Sequence, residues 1–265
     1  MNPDQIYFSL ADKIMSEGMY RNNERTGIGT YSLFGEKLEY DVSSSFPLLQ
    51  TKQVWWPGVA HELVWFLKGE TNIKYLKENK VRIWDAWADE NGNLGPVYGK
   101  QWRDWSGNDQ IKSLISGIKE DPSSRRHIVN AWNVDQIKEM ALPPCHMMFQ
   151  VYVREDYLDL QLYQRSGDYF LGVPFNLASY SLLLYILSKA VNKKPGKFIH
   201  VFGDVHIYEN HVEAIKTQKS RLENIKEAKP ELYVKDFNDI GEITFNHFIL
   251  SNYFHEGKIK ADVAI

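Results

Sequence analysis

The chain is 265 residues long, 43% hydrophobic and 25% charged, with a formal net charge of -3 at pH 7. No apolar run is long enough to span a bilayer, and the opening Met1-Asn2-Pro3-Asp4-Gln5 lacks the basic and apolar regions of a signal peptide, so a cytoplasmic protein with no membrane partner is expected. The slightly acidic balance excludes a broad electrostatic footprint for nucleic acid, so any phosphate has to be met by a local arginine cluster.

No repeat, low-complexity stretch or Pro/Gly/Ser linker divides the sequence, and residues 1–265 are expected to form one compact domain. Pro57 to Leu67 predicts a helix: proline stands in its first turn, Val59, Leu63 and Phe66 recur at helical spacing, and Gly69 lies just past its end. Leu158, Leu160 and Leu162 alternate with Asp159, Gln161 and Tyr163, which predicts a strand with one buried face. Ala178 to Val191 reads as a central, mostly apolar helix stopped by Asn192-Lys193-Lys194-Pro195-Gly196. Phe198 to Phe202 predicts another strand, and about Val205 to Thr217 a further helix. Strands and helices mixed without a regular βαβ repeat favour the α+β class.

Several common motifs are absent. His61-Glu62-Leu63-Val64-Trp65 begins like a zinc-protease helix, but Trp65 takes the place of the second histidine. Gly27-Ile28-Gly29 has Ser32 where the dinucleotide fingerprint needs glycine. Gly95 to Lys100 is too short between its glycines for an NTPase phosphate loop. Neither ATP nor NAD is indicated.

Cys145 is the single cysteine, set in Ala141-Leu142-Pro143-Pro144-Cys145-His146. It cannot form an intramolecular disulfide or a multi-cysteine metal site, so it either fills space or reacts. Arg125, Arg126 and Arg165 supply cations that can hold an anion and favour a thiolate nucleophile.

The sequence resembles the thymidylate synthase family nearly from end to end. The resemblance is carried by Arg25-Thr26-Gly27, His61-Glu62-Leu63, Ile83-Trp84-Asp85, Leu94 to Arg103, Asp121-Pro122-Ser123-Ser124-Arg125-Arg126, the Cys145 segment, Gln164 to Asn176, Gly203 to Tyr208 and Val263-Ala264-Ile265, in the family's order. It implies a large mixed β-sheet packed with helices. It also implies a methyltransferase that makes dTMP and dihydrofolate from dUMP and 5,10-methylenetetrahydrofolate, with no metal and no required nucleic acid. Thiolate addition by Cys145 at uracil C6 would turn the ring into an enolate whose C5 attacks the one-carbon unit.

Other roles follow from the same resemblance. Glu62 would organise waters serving the uracil O4 and the folate nitrogens, and Tyr98 would assist removal of the C5 proton. Arg165 and Asp168 complete the catalytic group. Arg25, Arg165 and Ser166 match phosphate ligands, while Arg125 and Arg126 match a pair delivered by the other subunit of a homodimer with shared sites. Asn176 would pair with O4 and N3–H of uracil, whereas cytosine reverses that pattern. His206 and Tyr208 would bond the deoxyribose 3′-hydroxyl. Lys52, Ile83, Trp84, Trp87, Asp168, Leu171, Gly172, Phe175 and Ala264 fall on the folate side.

Taken without the resemblance, several of these residues read otherwise. Glu62 would be an exposed helix charge, Tyr98 a packed aromatic in a Gly-Pro turn, and Asn176 an N-cap ahead of a helix. Arg125-Arg126 would be a solvated turn, and His206 and Tyr208 ordinary residues of a helix. The sequence also departs from the family. Lys52-Gln53-Val54-Trp55-Trp56-Pro57-Gly58 carries less charge in the loop that serves the folate glutamyl tail, Lys219 to Asn224 replaces a basic, proline-rich segment, and Asp262 stands where proline is usual. These departures keep a dUMP 5-hydroxymethylase as the alternative, in which water replaces hydride. A non-catalytic nucleotide- or RNA-binding relative is a third reading, disfavoured by the full set of catalytic residue types.

Overall fold

A computed structural model describes residues 2–22, 24 and 27–263. Helix α1 (Pro3–Glu17) opens on a capping box: the Asn2 side chain accepts from the Gln5 N–H while Gln5 reaches back to the Asn2 N–H. Then come β1 (Met19–Arg21), β2 (Thr30–Phe34) and β3 (Lys37–Asp41), followed by α2 (Trp56–Leu67), α3 (Lys74–Glu78), α4 (Tyr98–Arg103) and α5 (Gln110–Glu120). The second half holds β4 (Ile128–Asn130), β5 (His146–Arg154), β6 (Tyr157–Asp168), α6 (Gly172–Ala190), β7 (Lys194–Tyr208), α7 (Val212–Lys219), β8 (Glu231–Val234) and β9 (Phe248–Ser251).

The main sheet has seven strands in the order β1-β2-β7-β6-β5-β4, with β3 also on β7. β6 and β7 run parallel, joined through α6 as crossover helix, and the other pairings are antiparallel. This is the α+β mixed sheet with packed helices that the sequence led us to expect. β7 pairs with β3 over Lys197–Val201 and with β2 over Asp204–Tyr208. Gly203 lies at the change of partner, where a Cβ would stand 2.8 Å from the Arg165 carbonyl. Glycine therefore lets β7 close on β6 at the level of Arg165 and Ser166.

Leu158, Leu160 and Leu162 of β6 and Phe149 and Val151 of β5 point into one layer and are fully or almost fully buried. α6 packs there and is apolar around most of its circumference, with Leu177, Leu182, Leu183, Leu184, Ile186 and Leu187 all inaccessible. Each such side chain contributes roughly 1.5–3 kcal/mol of transfer free energy. The opposite face of β4 and β5 is open: Ile128 is 42% and Tyr152 61% exposed.

Two elements differ from the sequence expectation. The central helix begins at Gly172 rather than Ala178, because Pro174 falls in its first turn, where its missing N–H has no helical partner to lose. Asn176 is consequently inside the helix and not an N-cap. Val205 to Tyr208 is strand, and α7 starts only at Val212 after a short 3-10 turn. Val205 and Ile207 stand two apart, the spacing of one strand face, and their pairing with Thr30–Leu33 carries the strand through His206 and Tyr208. His206 and Tyr208 are strand residues, so the helical reading of them is corrected.

Candidate active site

Parallel pairing brings the C-terminal ends of β6 and β7 to the same edge of the sheet, and antiparallel pairing brings the start of β5 beside them. Cys145 immediately precedes β5, Arg165, Ser166 and Asp168 end β6, and His206 and Tyr208 end β7. The N-terminus of α6 supplies Asn176, α2 supplies Glu62, and α4 begins with Tyr98. These residues surround one continuous cleft. Its inner chamber, about 360 Å³, and its outer part, about 1010 Å³, share Cys145, Ser166, His206 and Tyr208.

The inner chamber is largely apolar. Ile83, Trp84, Trp87, Leu171, Gly172 and Phe175 form walls, and Val263 of the tail reaches them. Glu62 is 6% exposed and accepts a hydrogen bond from Trp84 Nε1 at 2.7 Å. Burial pushes its carboxyl up to about 7, with the Trp84 bond opposing the shift, so it exchanges protons near neutrality. It is a buried, poised carboxyl and not an exposed helix charge. Tyr98 accepts the Cys145 backbone N–H at 2.8 Å and stacks on His146 with ring centroids 4.1 Å apart. Burial lifts the phenol far above its ordinary range, so the hydroxyl stays protonated and keeps its own hydrogen to donate. The turn assignment for Tyr98 gives way to the first residue of α4.

Asp168 accepts the N–H groups of Phe170 and Leu171 and lies 3.6 Å from His211 Nδ1, an ion-pair distance. Burial opposes its charge, but the His211 contact and the Leu171 N–H outweigh it, and the carboxyl is held below its usual range. His211 also donates from Nε2 to the Asp262 carbonyl at 2.8 Å, which ties the tail to the same carboxylate.

Arg165 is a clamp on the cysteine loop. Nε donates to the Pro144 carbonyl and Nη2 to the Pro143 carbonyl, both at 2.9 Å, and Nη2 stands 3.9 Å from Cys145 Sγ. The loop is thus held by two backbone contacts, with the guanidinium placed where it would favour a thiolate over a thiol. In the outer part Arg21, Arg165, Asp204 and His206 face one another, and His206 Nδ1 donates to Asp204 at 2.8 Å, leaving Nε2 toward the cleft.

Not every expected residue joins the site. Lys52 does not line the cleft; its ammonium is buried, donating to the Phe170 carbonyl over the Phe170 ring, and burial pulls its pKa down to about 7. The side chain points inward, where Phe170 offers it both a carbonyl and a π face, and in this position it does not reach the cleft. Arg125 and Arg126 are exposed in the turn before β4, away from both parts of the cleft. Arg25 and Ala264 lie outside the described residues. Sequence reasoning assigned no role to Gln164, His146, Arg21 or Asp204, which the fold brings into the lining. Strand alternation beyond Leu162 was the available signal for Gln164.

The sequence matches the protein-family profile described as thymidylate synthase over residues 5–265. It is also 46% identical, over 290 aligned positions, to the thymidylate synthase of Mycoplasma pneumoniae (strain ATCC 29342 / M129), the alignment covering 98% of this chain and 100% of that relative.

Proposed function

The chain belongs to the thymidylate synthase family, and we propose on that footing that it methylates dUMP at C5 with Cys145 as the attacking nucleophile and residues 1–265 acting as one catalytic domain. The observation that carries this reading is the convergence of Cys145, its Arg165 clamp, Asn176, Tyr98 and the Glu62–Trp84 pair on one cleft.

Sulfur adds to C6 of the uracil ring, and the electron pair of the C5–C6 bond moves toward O4. The charge at O4 is met by the Asn176 amide and, through water, by Glu62, whose pKa near 7 suits both taking and returning a proton. Tyr98, held neutral, directs its hydroxyl hydrogen rather than acting as an anionic base. Arg165 and Ser166 receive the phosphate, and His206 and Tyr208 the sugar hydroxyl.

The walls of Trp84, Trp87, Leu171 and Phe175 with one ionised carboxylate, Asp168, fit a flat heteroaromatic ring that carries N–H donors. Methylenetetrahydrofolate, when bound there, supplies both the one-carbon unit and the hydride. Val263, with Asp262 anchored on His211, covers this side of the cleft and limits entry of water. Among the described residues no helix is long and apolar enough to cross a membrane, and a reducing cytoplasm would keep Cys145 a thiol.

The site is shared in a homodimer. Arg125 and Arg126 stand at the edge of the open sheet face that exposes Ile128 and Tyr152, so a second copy packed on that face would receive both guanidinium groups beside its own Arg165. Incubation with dUMP and methylenetetrahydrofolate tests the reaction: equal amounts of dTMP by mass and dihydrofolate by absorbance are expected. A hydroxymethyl nucleotide with tetrahydrofolate would overturn it.

A further inference from the structure

Behind Asn176 lies a chain of hydrogen bonds that reaches the core of the sheet. Gln164 is 2% exposed, and its Nε2 donates to the Ser166 carbonyl at 2.9 Å and to Asn176 Oδ1 at 3.1 Å. Its Oε1 faces His200 Nε2 at 2.7 Å. His200 is completely buried between Phe198 and Phe202, with the Phe202 centroid 3.9 Å away, and its Nδ1 has no hydrogen-bond partner among the described residues.

We propose that His200 is a positioning residue that sets which base the cleft accepts, by fixing the amide of Gln164 and through it the amide of Asn176. This rests on Asn176 reading the pyrimidine edge. The direction of every bond in the chain follows from what its ends can do. A carbonyl only accepts, so Ser166 draws the amino side of Gln164 toward itself and leaves the Gln164 oxygen toward His200. That oxygen needs a donor, which requires the proton of neutral His200 on Nε2 and leaves Nδ1 bare, in keeping with its lack of a partner. The amino side of Gln164 then demands an acceptor from Asn176, so Oδ1 lies toward Gln164 and Nδ2 points away from it.

In that orientation Asn176 offers a donor to uracil O4, and the second lone pair of Oδ1 accepts from N3–H. Cytosine presents an acceptor at N3 and a donor at C4, so it needs the amide turned over. Turned over, the amino group of Asn176 would meet the amino group of Gln164, two donors face to face in a buried site. The preference for uracil is therefore held by a donor two residues removed from the base, and His200 touches neither nucleotide nor folate.

His200→Phe keeps the aromatic volume between Phe198 and Phe202 but removes the donor. His200→Gln restores it, because a glutamine Nε2 lies about as far along the side chain as the histidine Nε2. The readout is the ratio of the dCMP inhibition constant to the KM for dUMP. We expect His200→Phe to lower it by about fivefold, the worth of one ordinary hydrogen bond, and His200→Gln to return it to the wild-type value. An unchanged ratio in folded His200→Phe, or an equal loss in both variants, overturns the proposal.

Asn176→Asp measured alongside separates two failures. A ratio that moves for Asn176→Asp but not for His200→Phe removes the relay and leaves the base reader. A ratio that moves for neither removes the base reader as well. If His200→Phe does not fold, the wild-type chain carries the test through 15N-labelled histidine: protonated Nε2 with bare Nδ1 supports the relay, and protonated Nδ1 overturns it.

Discussion

The inner and outer parts of the cleft are built on opposite principles. Inside, apolar walls surround polar groups that are committed to partners: buried Glu62 to Trp84, buried Tyr98 to the Cys145 N–H, half-buried Asn176 to Gln164. Outside, the charges are open and partly self-compensated. Arg21 is 59% exposed and stands 3.9 Å from Asp204, which His206 also engages. One chain thus completes the part that must exclude water and aim donors at developing charge, where a low dielectric magnifies each contact. The part proposed to receive a phosphate dianion has Arg21 and Arg165 as its arginines among the described residues, and a second copy would add Arg125 and Arg126.

The strongest disturbance of this contrast comes from the sulfur both parts share. Cys145→Ser should cut turnover by on the order of 10⁴-fold or more while dUMP binding stays measurable by titration, since the phosphate and base contacts remain. Turnover near wild type would remove Cys145 from the chemistry.

Glu62→Gln probes the inner part alone. Turnover should fall by about 10²–10³-fold, the usual worth of a positioned proton carrier, while Trp84 keeps an acceptor. The stability effect runs the other way. Because burial raises the folded-state pKa to about 7 from the ordinary 4.5, the native chain holds the proton longer than the unfolded one, and stability falls as pH rises through that window. Removing the titrating group should therefore raise the melting temperature at pH 8, by at most about 3 kcal/mol of stability, with no gain at pH 4. Thermal melts at both pH values decide it; a loss at pH 8 would contradict the buried, reluctant carboxylate.

Arg165→Lys sharpens the boundary between the two parts. It retains the charge but cannot bridge the Pro143 and Pro144 carbonyls while facing sulfur, so a fall in kcat of about tenfold to a hundredfold is expected. Steady-state kinetics with unchanged kcat would show that charge alone, without the clamp, suffices.

What could be read from sequence follows the range of the interactions involved. The helix at Trp56–Leu67 and the strand bearing Leu158, Leu160 and Leu162 declare themselves through local periodicity, and the motifs around Cys145 and Asn176 name their chemistry through resemblance. His206 and Tyr208 were placed on a helix drawn from about Val205, although Val205 and Ile207 alternate with them as strand residues do, and pairing with Thr30–Phe34 carries β7 through Tyr208. Lys52 was placed on the folate side by resemblance, and nothing nearby in the sequence announces Phe170 as its partner. The Glu62–Trp84 bond and the His200–Gln164 bond join residues brought together only by folding, so the burial that gives Glu62 its proton affinity has no local signature.

The most direct test of a cleft half-completed by a second copy mixes two disabled chains. Arg126→Glu subunits carry an intact Cys145 but spoil their partner's phosphate site, and Cys145→Ser subunits carry intact arginines. Each should be inactive alone, and subunit exchange should restore activity, up to about one working site per mixed dimer. Mixed dimers verified by mass that remain inactive would contradict the shared site and return the phosphate to cations of a single chain.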